Sequence, residues 1–173
     1  MSRIRLRTSE KWAIVLTCVS VAGFFGYRWA TAKTTPLMTP LCSNAGPDQA
    51  RQTLHLSPER WIVTSEFDYR GAHRTAVTVT NFVDSGVTGT LTLAFFNQRL
   101  IQTIFYPADF EVYLKNLARD RGIRFSVLKR TLSLFSSNRL YPHTSVWVGR
   151  DHEGRDYVGW EDRKLANEDL RRD

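Results

Sequence analysis

The sequence predicts an α+β domain, a twisted antiparallel β-sheet of meander and hairpins packed with one or two helices, held behind one N-terminal transmembrane helix. Three observations predict it: an uncharged apolar run near the start, period-two hydrophobic alternation after residue 61 and again after residue 144, and helical spacing after Pro107.

The apolar run comes first. Residues 12–27 carry no charge, and 16 residues of helix span about 24 Å, short of the roughly 30 Å hydrocarbon core of a bilayer. Lys11 and Arg28 close the two ends and lengthen the span by laying their aliphatic stems along it. Trp12, Tyr27 and Trp29 stand where interfacial aromatic belts form. These five residues are the candidate membrane-interface anchors. Arg3, Arg5, Arg7 and Lys11 precede the span and only Arg28 and Lys33 follow closely, so the positive-inside rule puts the N-terminus in the cytoplasm and the rest outside it. The alternative is a cleaved signal peptide, because Ala30-Thr31-Ala32 is an A-x-A sequence. Arg28 and the bulky Trp29 inside that region favour a retained anchor. The expected organisation is a cytoplasmic basic tail (1–11), an anchor or signal peptide (12–30), a linker (31–46), an exported α+β domain (47–160) and a charged helical tail (161–173).

Of the net charge of +7, about +4 remains after the cytoplasmic flank is set aside, which is ordinary for a soluble domain. Cys18 lies in the apolar run and Cys42 in the expected linker, so no disulfide framework is expected. No Asn-x-Ser/Thr sequon occurs, which leans toward a bacterial inner membrane with a periplasmic domain over a eukaryotic secretory lumen. The Arg-rich N-terminus keeps the mitochondrial inner membrane as the alternative.

Residues 34–46 contain two prolines, small polar residues and no charge, the composition of a linker. Pro47-Asp48 suits a helix start, giving a short helix over 47–55 that Ser57-Pro58 ends. From Trp61 the period is two, with Trp61, Val63, Phe67 and Tyr69 on one face and Thr64, Glu66, Asp68 and Arg70 mostly on the other, a half-buried strand. A turn over 71–74 leads to a strand over 76–83, and Asp84-Ser85-Gly86 turns into the clearest strand, 87–96, with one core face and one Thr-rich face. Asn97-Gln98 closes a tight hairpin onto 99–105, completing four antiparallel strands.

Pro107 is expected to open a second helix that presents Phe110, Tyr113 or Leu114, Leu117 and Ala118 to the sheet and ends at Gly122. Period two returns at Ile123, Phe125 and Val127, with a shift near Lys129-Arg130 before Leu132 and Leu134. Residues 145–149 and 155–160 flank a polar hairpin tip. The segment 161–173 carries five acids and four bases with Leu165 and Leu170, and reads as a mobile or partner-dependent helix.

Chemistry is sparse. The histidines His55, His73, His143 and His152 have no metal-ligand spacing, no nucleophile elbow or phosphate loop occurs, and neither metal nor cofactor is expected. Asp151-His152-Glu153 with Asp156 is the most suggestive cluster, yet it sits where a hairpin tip gathers such residues anyway. A small hydrolase or lyase using His152 or His143 is a further alternative. The most biased surface is 115–130, where Lys115, Arg119, Arg121, Arg124, Lys129 and Arg130 face one acid, Asp120. It is a candidate for lipid headgroups or cell-wall polymer, or else the cation-rich end of a helix followed by a basic strand edge. Trp147, Tyr157 and Trp160 form a candidate partner interface, with core packing the commoner use of such residues. The expected function is a non-enzymatic, membrane-anchored accessory or assembly factor of an envelope complex. Its partners are membrane lipid and an envelope protein, with nucleic acid disfavoured by compartment.

Overall fold

The computed structural model describes residues 36–69, 71–125 and 143–171. The expected apolar span, with Lys11, Trp12, Tyr27, Arg28 and Trp29, lies outside them. Among the described residues no helix is long and apolar enough to cross a membrane.

The chain runs through α1 (Pro47–Thr53), a 3-10 turn (Pro58–Arg60), β1 (Ile62–Tyr69), β2 (Ala72–Asp84), β3 (Val87–Phe96), β4 (Arg99–Pro107), α2 (Phe110–Asp120), β5 (Thr144–Arg150), β6 (Asp156–Asp162) and α3 (Arg163–Leu170). The strands form one antiparallel sheet in the order β1-β2-β3-β4-β6-β5. The α+β expectation and the four-strand meander therefore hold, and the late hairpin adds to the same sheet beside β4.

Turn chemistry sets the register. Ser85 and Gly86 both have positive φ (47° and 75°), as do Asn97 and Gln98 (47° and 61°). These are the left-handed pairs that match strand twist in two-residue hairpins. Asn97 adds a lock by accepting from His73 N at 2.9 Å through its side chain and donating its own N–H to His73 O at 2.7 Å.

The period-two residues of five strands share one face. Val77 pairs with Leu93, Leu93 with Thr103, Thr103 with Trp160 and Trp160 with Val146, and all five are buried. Burying such side chains contributes about 1.5–3 kcal/mol each, but only if something covers them. The cover is α2, through Tyr113, Leu114 and Leu117, together with Ala50 of α1. Asp109, not Pro107, caps α2: its side chain accepts from Val112 N at 3.0 Å, while Pro107 ends β4. Gly122 with φ 68° turns the chain out of the helix.

The expected linker is part of this cover. Leu37, Met38 and Leu41 are buried in the same core, and the segment is pinned to the sheet by Asn44 N to Leu100 O at 3.1 Å, Leu100 N to Ala45 O at 2.9 Å, and Thr144 Oγ1 to Pro36 O at 2.6 Å. A Pro-rich, uncharged composition describes a linker and a hydrophobic strap equally well. Here Leu37, Met38 and Leu41 find an apolar face to cover.

The C-terminal segment also departs from expectation. Residues 161 and 162 belong to β6, and α3 is docked: Asp162 caps it by accepting from Lys164 N and Leu165 N, Leu165 is buried, Arg74 meets Asp169 at 2.8 Å and Arg99 meets Glu168 at 2.7 Å. Its charges are complementary to two strand residues distant in sequence, which a local count of acids and bases does not reveal.

One polar knot fixes α2 over the sheet. The buried Asp84 carboxylate at the end of β2 accepts from Tyr113 Oη and from Arg121 Nη2, each at 2.5 Å, and Asn116 Nδ2 donates to Ser85 O at 2.7 Å. Burial, with the Asp84 charge beside it, drives the Tyr113 phenol far above its ordinary value, so it stays a neutral donor. Arg121→Ala leaves the Asp84 charge partly unanswered and is expected to cost about 2 kcal/mol, whereas Lys115→Ala on the exposed side of α2 changes stability by less than about 0.5 kcal/mol. Denaturant unfolding of both variants checks this, and equal losses would contradict the knot.

Candidate functional site

Among the described residues the basic segment divides. Lys115 and Arg124 are exposed, but Arg121 points inward to Asp84 and Arg119 is spanned by Asp120 at 2.6 Å. Lys129 and Arg130, with the expected strand beyond Phe125, lie outside the described residues. Arg119 stands in the last turn of α2 and Arg121 at its C-cap, positions where a helix end favours cations.

The aromatic set divides across the sheet. Trp160 is fully buried in the core, as the packing alternative anticipated. Trp147 and Tyr157 are half-buried on the opposite face, each laid over a glycine of the neighbouring strand: Trp147 on its cross-strand partner Gly159, and Tyr157 on its partner Gly149. A Cβ at either glycine would collide with the ring. Tyr157 also meets Tyr106 at 5.4 Å between ring centroids, and Arg155 lies 4.9 Å from the Tyr106 ring. These aromatics shield backbone, and Trp160 is inaccessible to any partner.

The polar tip of the β5–β6 hairpin is a turn. Asp151 Oδ1 accepts from Glu153 N and Arg155 N, and its Oδ2 takes Arg155 Nε at 2.8 Å. His152 is 89% exposed beside it, while His143 stands at the opposite end of β5. Among the described residues no group of three or more His, Cys, Asp or Glu side chains is arranged to hold a metal ion.

The feature that stands out is β1. It was expected to be half-buried, yet all eight of its residues are exposed. Two causes combine. A bulge between Val63 and Ser65 resets the alternation, so Val63 pairs with Val77 on the core-side face while Phe67 pairs with Arg74 on the other. The apolar residues are thereby split between faces. β1 is also the last strand of the sheet, and the covering layer packs over strands further in, so neither face of β1 is buried. Ile62, Val63, Phe67 and Tyr69 are 44–50% exposed.

The core-side face of β1 carries acids. His73 on β2 sits between them, with Nδ1 2.9 Å from Asp68 Oδ1 and Nε2 3.1 Å from Glu66 Oε1. The hydrogen bond to Asp68 raises the His73 pKa, with the Asp68 and Glu66 charges adding to it. The sequence hid this site because a first strand of apparent period two looks like any half-buried strand.

No family model, curated protein or solved structure matches this chain.

Because the folded-state value of His73 is raised, its clasp on β1 is fully present below the ordinary histidine range and is lost as pH climbs through the raised value. His73→Gln should therefore lower Tm more in mildly acidic buffer than in mildly alkaline buffer. A melting-temperature difference independent of pH would contradict the clasp.

Proposed function

We propose that this chain is a membrane-tethered, non-enzymatic accessory factor whose exported domain binds another protein within an envelope or membrane complex. The observation that carries the reading is β1: an edge strand with exposed apolar side chains on both faces is a surface that a monomeric domain avoids unless something docks there. The tether rests on the uncharged run 12–27 between Lys11 and Arg28, and the orientation on Arg3, Arg5 and Arg7. The location that fits this reading is the bacterial inner membrane with the domain in the periplasm, and the mitochondrial inner membrane is the alternative.

Docking to an anionic surface through 115–130 is the weaker reading. Arg121 is engaged with Asp84, and Arg119, although exposed, is paired with Asp120, so only part of the basic run stands clear of an acid among the described residues.

Native membranes test the proposal. The full-length chain should stay in the membrane pellet after an alkaline carbonate wash, a C-terminal reporter should be active only outside the cytosol, and crosslinking should trap the chain with a second protein. Release by the wash, a cytosolic reporter signal, or recovery as free monomer with and without crosslinker would each overturn it.

A further inference from the structure

The two edges of the sheet are treated differently. β5, the last strand on one side, has Thr144, Ser145, Val146 and Val148 buried, whereas β1, the last strand on the other, is exposed along its whole length. Among the described residues no strand pairs with the outer edge of β1. An edge of this kind presents a row of backbone donors and acceptors that an added strand satisfies.

The side chains say what such a strand looks like. Glu66 and Asp68 lie on the core-side face, with side chains 59% and 81% exposed, although each also contacts His73. Phe67 and Tyr69 lie on the other face, in the register of Arg74 and Ala72. A strand laid along β1 meets acids on one face and aromatics on the other, so its complement alternates cationic and apolar residues.

A second copy of this chain is a poor occupant. Two β1 strands related by a two-fold axis pair residues of the same face, and an axis centred on Glu66, Phe67 or Asp68 sets an acid opposite an acid: Glu66 opposite itself, Glu66 opposite Asp68, or Asp68 opposite itself. Like charges directly opposite are destabilising.

We propose that the outer edge of β1 docks an extended segment of a protein partner in which arginine or lysine alternates with apolar residues, adding a seventh strand to the sheet. This names the binding surface within the protein-binding reading and rests on it for its biological meaning.

The test uses the full-length chain in detergent micelles and three short fluorescent peptides: arginine alternating with valine, glutamate alternating with valine, and the first composition rearranged into an arginine block and a valine block. The alternating basic peptide is expected to bind most tightly. Glu66→Lys with Asp68→Lys should weaken it about tenfold and favour the acidic peptide instead. A photo-crosslinking phenylalanine analogue at position 67 should capture the basic peptide, and the same analogue at the exposed position 170 of α3 should not. Equal binding of the blocked peptide, equal capture at both positions, no capture at position 67, or capture there of a second copy of the chain would overturn the proposal. Loss of peptide docking while partner crosslinks persist in membranes would sink this proposal alone. Release from membranes with docking intact would sink only the tether.

Discussion

A single β-sheet has one hydrophobic face, and the whole domain is organised by the need to cover it. The strands supply a continuous buried stripe from Val77 across Leu93 and Thr103 to Trp160 and Val146. Among the described residues the cover comes chiefly from α2, α1 and the strap around Met38 and Leu41. The Asp84 carboxylate, gripped by Tyr113 and Arg121, holds α2 against the β2–β3 hairpin. A buried charge tolerates only a narrow arrangement of partners, so the knot specifies where α2 sits more than it adds net stability.

The opposite face is protected by cheaper means. Trp147 and Tyr157 lie flat on Gly159 and Gly149, so the ring substitutes for the missing side chain and keeps water off the backbone. At the other end α3 brings Asp169 and Glu168 to Arg74 and Arg99, over a region where Phe96 and Leu165 are buried apart from the main core. Between them lies the Thr-rich middle, half-buried and polar enough to face solvent. Arg74, held by Asp169, lies 5.5 Å from the Tyr69 ring, yet all eight residues of β1 remain exposed.

Much of this was legible in the residues. The meander, its two tight turns, the second helix and the late hairpin all follow from period and turn chemistry, because hydrophobic alternation and left-handed φ preferences are local properties. What escaped were relations between distant segments. The strap around Met38 looks like a linker until a face needing cover exists, and α3 looks mobile until Arg74 and Arg99 stand opposite its acids. Trp160 could be read as surface or core, and only its pairing with Thr103 and Val146 decides. The exposure of β1 was hidden by the bulge at Thr64, which moves Phe67 and Tyr69 off the face that Val63 occupies. Arg121 belonged to a basic run by sequence and to a buried ion pair by geometry.

Among the described residues the two edge strands differ, most of β5 being buried and all of β1 exposed, so the domain is polarised. Its stability resides in the stripe from β2 to β5, and its reactive backbone lies along β1. Hydrogen exchange of the full-length chain, read amide by amide, measures this asymmetry directly. The account expects the amides of β3, β4 and β6 to exchange only by global unfolding, while the outward-facing amides of β1 exchange quickly at every chain concentration. Protection of those β1 amides equal to that of β4, in the absence of any partner, would contradict it.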